Sequence, residues 1–248
     1  MRKPLGGTTR FALGTAMLLA GAISGQAQTT FQGSANILLG LPQGKFKENA
    51  ASLGGAAGFD FAYSPSTSPF GVGAAIGFII YGSDTRREMV KTSTADFPVN
   101  VTTTNALIQA HLLARVQRKG GPVRPYLEAA FGLNHLTTDT SVEEAESGWH
   151  SEDDSNRITT NNMSDTALSY GGGAGVMVMA HQGKKVSGSG KAKPWNLLVD
   201  TRVRYLVGGE ARYLKKGSIR RLNDQLVYDI KESTTDLLTV QLGVTVEF

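Results

Sequence analysis

Cysteine is absent from all 248 residues, which excludes disulfides, thiolate chemistry and an acylated amino-terminal cysteine as a lipid anchor. No apolar run reaches the roughly eighteen residues that a membrane-crossing helix needs. Charge is sparse: 19% of residues are charged, and the formal net charge is +4. Three of the basic residues, Arg2, Lys3 and Arg10, sit at the amino terminus. Without them 22 basic residues face 21 acidic ones, a net of +1, so no electrostatic footprint for nucleic acid is left. The four histidines, His111, His135, His150 and His181, lie on separate segments without metal-ligand spacing.

The amino terminus has the layout of a secretory signal peptide. Arg2, Lys3 and Arg10 supply the positive region, Phe11–Ile23 an apolar core too short to span a bilayer, and Gly25-Gln26-Ala27 the small residues of a cleavage site. Residues 1–27 are therefore expected to be removed after export, with the mature chain running 28–248.

What the chain has in quantity is glycine, 30 residues, and alternation. At the end of the sequence, Leu238, Val240, Leu242, Val244, Val246 and Phe248 alternate with Thr239, Gln241, Gly243, Thr245 and Glu247. A period of two marks a strand with one apolar and one polar face. Seven earlier segments repeat it. Their apolar members run Phe31–Leu39, Leu53–Tyr63, Phe70–Ile80, Ala106–Val116, Leu127–Leu133, Leu168–Val178 and Leu197–Tyr205. Between them, Ser64–Pro69 and Arg118–Pro125 are short, turn-rich connections. Leu41–Asn49, Gly82–Thr104, Thr137–Ser164 and Val207–Thr235 are polar stretches with no alternation, expected to be loops. His181–Pro194, carrying Lys184, Lys185, Lys191 and Lys193, is expected to be a solvated hairpin longer than its neighbours.

Long and short connections thus alternate, as they do between the two rims of an up-and-down membrane barrel. The composition of the two faces decides between a membrane barrel and a soluble one. A soluble ligand-binding barrel turns its apolar face inward. Here the opposite face is rich in glycine and carries Asp60, Arg115, Glu128, Asp200, Arg202, Arg204 and Glu247, which suits a narrow polar lumen. The aliphatic and aromatic face then meets hydrocarbon. The pattern predicts an all-β, eight-stranded antiparallel up-and-down transmembrane β-barrel. Buried charges need partners, so Asp60, Arg115, Glu128, Asp200, Arg202 and Arg204 are expected to pair across the lumen, as a plug or as a gate.

Catalytic and cofactor signals are weak. Gly188-Ser189-Gly190-Lys191 lacks the first glycine of a phosphate loop and has Ala192 where the magnesium-binding hydroxyl belongs. His150, Ser151 and Asp153 crowd into four residues of an acidic stretch, whereas a catalytic triad draws on separated elements. No catalytic residue, cofactor or metal ligand is assigned.

Once the strands are placed, the chain resembles the outer-membrane protein β-barrel family, the small porin-like barrels of the outer-membrane protein A and X type. Phe70–Ile80, Gly121–Leu133, Tyr205–Tyr213 and the terminal Leu237–Phe248 carry the likeness. The resemblance implies a Gram-negative outer-membrane location and contact with outer-membrane lipid and lipopolysaccharide. It also implies recognition of the terminal Phe248 by the barrel-assembly machinery. No peptidoglycan-binding domain follows the last strand, so cell-wall anchoring of the outer-membrane protein A kind is not expected. A structural or surface-interaction role, in adhesion or envelope integrity with an unidentified extracellular ligand, is the first expectation. A narrow porin for ions or very small solutes is the second.

Overall fold

The computed structural model describes residues 29–50, 53–65, 68–91, 96–144, 158–186, 192–222 and 225–248. The signal segment, the His150/Ser151/Asp153 group and Gly188–Lys191 lie outside the described residues.

The alternating segments become strands, in chain order β1 (Thr29–Pro42), β2 (Gly54–Pro65), β3 (Phe70–Lys91), β4 (Asp96–Gln117), β5 (Val123–Glu144), β6 (Ile158–Val186), β7 (Ala192–Gly208), β8 (Glu210–Leu222), β9 (Gln225–Thr234) and β10 (Leu237–Glu247). A short helix, α1 (Gly44–Ala50), joins β1 to β2. Eight strands close on themselves in the order β1-β10-β7-β6-β5-β4-β3-β2, while β8 and β9 form a separate two-stranded sheet. Every pairing is antiparallel. The seam is made by β1 and β10, and the backbone N–H of Phe31 donates to the carbonyl of Phe248 at 2.9 Å, with the reciprocal bond at 3.0 Å.

Register sets the shape of the barrel. Partners followed once around run Gln32, Ala62, Gly73, Leu113, Ala130, Gly171, Leu206, Leu237 and return to β1 at Pro42, ten residues along. A stagger of that size over eight strands tilts them by roughly 40° and leaves an interior that side chains can fill.

The polar stretches expected to be loops are largely strand, a correction to the sequence reading. β3 and β4 stay paired from Gly82 with Asn105 out to Lys91 with Asp96. β4 and β5 pair as far as Val99 with Glu144, and β5 and β6 as far as Val142 with Ile158. Hydroxyl pairs such as Thr85 with Thr102 (3.0 Å) and Thr103 with Thr140 (3.2 Å) support these ladders. Hydroxyls, amides and charges dominate there and leave only brief apolar alternation, such as Val99 with Val101, too short to mark a strand. β8 and β9 likewise fall inside a stretch read as loop, with Ala211 and Tyr213 of β8 turned into an apolar cluster, and the expected β6–β7 hairpin is paired out to Val186 with Ala192.

Side-chain burial follows the alternation. Residues facing inward on β1, β4, β7 and β10 are buried, and the aliphatic and aromatic residues between them stand exposed. Leu112, Phe61 and Ile37 are 68%, 67% and 66% exposed. Apolar residues cover the outside of every barrel strand, far beyond what a water-soluble monomer displays. On β3 the band runs from Phe70 to Ile80. At ~3.3 Å per residue and ~40° of tilt it stands roughly 25 Å tall, the height of a lipid-facing band. Phe31, Tyr63 and Phe248 cluster at one edge, with ring centroids 5.2 and 6.2 Å apart, as aromatic residues do at a membrane interface.

Candidate functional site

The inward faces of the eight strands fill the barrel in layers. At the rim of the β4–β5 turn, where Gly120 and Gly121 take the left-handed conformation the turn requires, Arg124 donates to both oxygens of Glu247 at 2.7 Å. Gln32 and Asn196 donate to the same carboxylate at 2.9 and 2.8 Å. Lys119 reaches back from the turn to the Ser64 hydroxyl. Burial pushes the Lys119 ammonium below its usual pKa; Glu247 opposes the shift and Arg124 adds to it.

A second layer packs Tyr126 with Met177 and Leu198. Tyr126 lies opposite Gly175 in the β5–β6 register, and a Cβ at Gly175 would come within 2.4 Å of the ring. The missing side chain is what lets this ring lie across the lumen. Its hydroxyl donates to Asp200 at 2.8 Å, and the Arg115 guanidinium lies 4.4 Å above the ring.

The third layer is the charged belt. It brings together Asp60, Arg115, Glu128, Asp200, Arg202 and Arg204, three arginines and three carboxylates from β2, β4, β5 and β7. Glu128 stands at its centre. One of its oxygens accepts from Arg115 at 2.9 Å and the other from Arg204 at 2.6 Å, with Arg202 at 3.5 Å from the latter. Arg202 also pairs with Asp60, whose Oδ2 accepts from Asn36 Nδ2 at 2.6 Å. Arg202 is 1% exposed and the Glu128 side chain is fully buried, so bulk water reaches neither. Neighbouring strands place Arg115 directly opposite Glu128, the contact of Glu128 with Arg204 reaches past Gly173 on the intervening β6, and that of Asp60 with Arg202 crosses the lumen.

Above the belt lies a layer of amides and hydroxyls. Gln109 donates to Asn134 at 3.2 Å, Gln241 to Thr239 at 3.0 Å, and His111 Nε2 meets the Ser169 hydroxyl at 3.1 Å. Asn36, Asp60, Gln109, His111, Arg204 and Gln241 line a cavity of about 10 Å³ here, the scale of a single water. The last layer is apolar. Leu38, Ile79, Leu107, Leu136 and Leu237 ring the mouth, and Phe46 of α1 fills it. Phe46 is 1% exposed and meets Tyr81 and Tyr213 edge-on at 5.4 and 5.3 Å.

Sequence reasoning singled out the belt and missed its surroundings. Tyr126 carried one sign, a glycine-rich partner strand able to accommodate a ring. Phe46 and Tyr213 carried none, because both sit in segments without alternation. Among the described residues no three or more His, Asp or Glu are grouped to hold a metal. The chemistry of the site is that of a balanced, desolvated ion-pair network under an apolar stopper.

A closed antiparallel barrel with an apolar outer band and a polar, side-chain-filled interior is a membrane-spanning β-barrel. Among solved structures, the chain is similar to Neisserial surface protein A (NspA), at 13% identity and a TM-score of 0.36, over 88% of this chain and 95% of that one. It is also similar to a major outer membrane protein from Thermus thermophilus, at 12% identity and a TM-score of 0.35, over 89% of this chain and all of that one. No family model and no curated protein matches it. Identity and TM-score are both low in these pairs, and the class of the protein follows from its own geometry.

Proposed function

We propose that this chain is an integral outer-membrane protein whose barrel is a closed structural body presenting its long hairpins at the cell surface. It acts in envelope integrity or adhesion, and its lumen is not an open pore. The observation that carries this reading is the belt: three arginines matched by three carboxylates, buried, and capped by the Phe46 stopper. Mobile ions would have to displace the charge-assisted hydrogen bonds that Arg115 and Arg204 make to Glu128 and that Arg202 makes to Asp60. Export through the amino-terminal signal segment, contact with lipopolysaccharide and outer-membrane lipid, and recognition of Phe248 during assembly belong to the same reading.

Conductance of the refolded mature barrel in a planar bilayer tests it, with an Arg115→Ala variant alongside. A silent wild-type barrel is the expected result. Steady wild-type current steps that change with Arg115→Ala would sink the closed-body reading in favour of a narrow porin for ions or very small solutes.

A further inference from the structure

The two rims of the barrel differ sharply in charge. At the rim that holds the β4–β5 turn and the β6–β7 hairpin, the segments 64–70, 117–125, 180–196 and 246–248 contain seven Lys and Arg and a single acidic residue, Glu247. That carboxylate is already bound by Arg124. In the sequence of the connections on the opposite side, residues 41–53, 82–104, 135–166 and 207–236, 17 acidic residues outnumber 12 Lys and Arg.

The turn and the hairpin that carry these residues adjoin. The backbone N–H of Met179 donates to the Pro122 carbonyl at 2.7 Å, which seats the turn bearing Arg118 and Lys119 against the base of the β6–β7 hairpin. Arg118 and Lys184 are exposed. Register puts Lys184 opposite Pro194 and Lys185 opposite Lys193, three and four pairs beyond the pair His181 with Leu197 at the edge of the apolar band. Trp195, against His181 at 5.5 Å between ring centroids, marks the interface. The lysine backbones then lie roughly 8–10 Å past the hydrocarbon. The headgroup layer is about 5–8 Å deep on each side, and flexible lysine stems reach back into it.

We propose that this rim binds anionic phospholipid headgroups of the adjoining leaflet, through Arg118, Lys184, Lys185 and Lys193. The inference rests on the membrane-barrel reading and names the lipid class that one rim selects. Charge complementarity carries it: cations cluster at headgroup depth, and no acidic side chain in these segments is left free to neutralise them. A polymer further from the membrane would not need cations within about 10 Å of the apolar band.

Electron spin resonance of the refolded barrel in phosphatidylcholine bilayers, with spin-labelled phosphatidylglycerol or phosphatidylcholine as probe, tests the inference. The wild-type barrel is expected to hold phosphatidylglycerol about fivefold more strongly than phosphatidylcholine at low salt. A variant with Arg118, Lys184, Lys185 and Lys193 each replaced by Gln is expected to lose that preference while remaining folded, because Arg118 and Lys184 are exposed and Lys185 and Lys193 pair on the hairpin beyond the apolar band. Equal affinity for the two lipids in the wild type, or a preference retained in the variant, would overturn the inference alone. Retention on isolated cell-wall sacculi through the same four residues, without lipid preference, would overturn it in favour of a periplasmic polymer. No immobilised-lipid signal at all would take down the membrane-barrel reading and the inference together.

Discussion

Glu128 shows at the scale of one residue what the lumen demands. It is the one carboxylate that all three belt arginines approach within 3.5 Å. Replacing Glu128 by Gln leaves Arg115 and Arg204 buried without their carboxylate, and removing one partner of a buried pair costs about 3–5 kcal/mol. Urea unfolding of the refolded barrel in detergent is expected to show a loss of that size, with the β1–β10 seam untouched. Gly175 makes the complementary case. A Cβ there meets the Tyr126 ring with no room to spare, so Gly175→Ala must displace the ring from Asp200 and from Arg115. Near-ultraviolet circular dichroism reads the loss of Tyr126 order, and a variant spectrum identical to wild type would refute this account of the glycine.

At the scale of elements, α1 and the β8–β9 sheet are the parts that lie outside the closed ladder. They are tied to the mouth by Gln43 N–H donating to the Asp236 carbonyl at 2.9 Å and Gly208 N–H donating to the Asp236 side chain at 3.0 Å. Phe46 is their anchor in the apolar ring. Phe46→Ala is expected to remove about 3–5 kcal/mol of packing, as such truncations do. The loss should fall on the cap, not the barrel, because none of the eight-strand ladders involves α1. Limited proteolysis should therefore cut the variant faster between β1 and β2 and within the β8–β9 region, with the eight-strand body surviving. Accelerated cleavage throughout the barrel would show that cap and body unfold as one unit.

For the whole molecule, the inverted distribution of polarity decides the class. Leu112 points outward near the middle of the apolar band and is two-thirds exposed. On a water-soluble protein Leu112→Arg would change stability by less than about 0.5 kcal/mol. Facing hydrocarbon at the midplane it costs about 2–4 kcal/mol. Unfolding of the variant in phospholipid vesicles distinguishes the two, and a neutral result there would contradict the membrane placement of this face.

The alternation of residues by itself determined the eight barrel strands, the face each turns to lipid and the inward position of the charged residues. Those features are legible because a strand between lipid and a polar lumen must write a period of two into its side chains. Glu128 and Arg115 could even be matched as neighbours, since consecutive strands pair in a meander. Only the tertiary structure decided the rest. The extensions of β3–β6 and the β8–β9 hairpin contact no hydrocarbon, so nothing in their composition had to alternate. The partnership of Arg202 with Asp60 depends on the closed barrel, which brings β2 and β7 together across the lumen, and that of Arg204 with Glu128 on Gly173, the residue without a side chain between them. Phe46 becomes a stopper for the same reason: the ring it fills exists only after β1 has met β10.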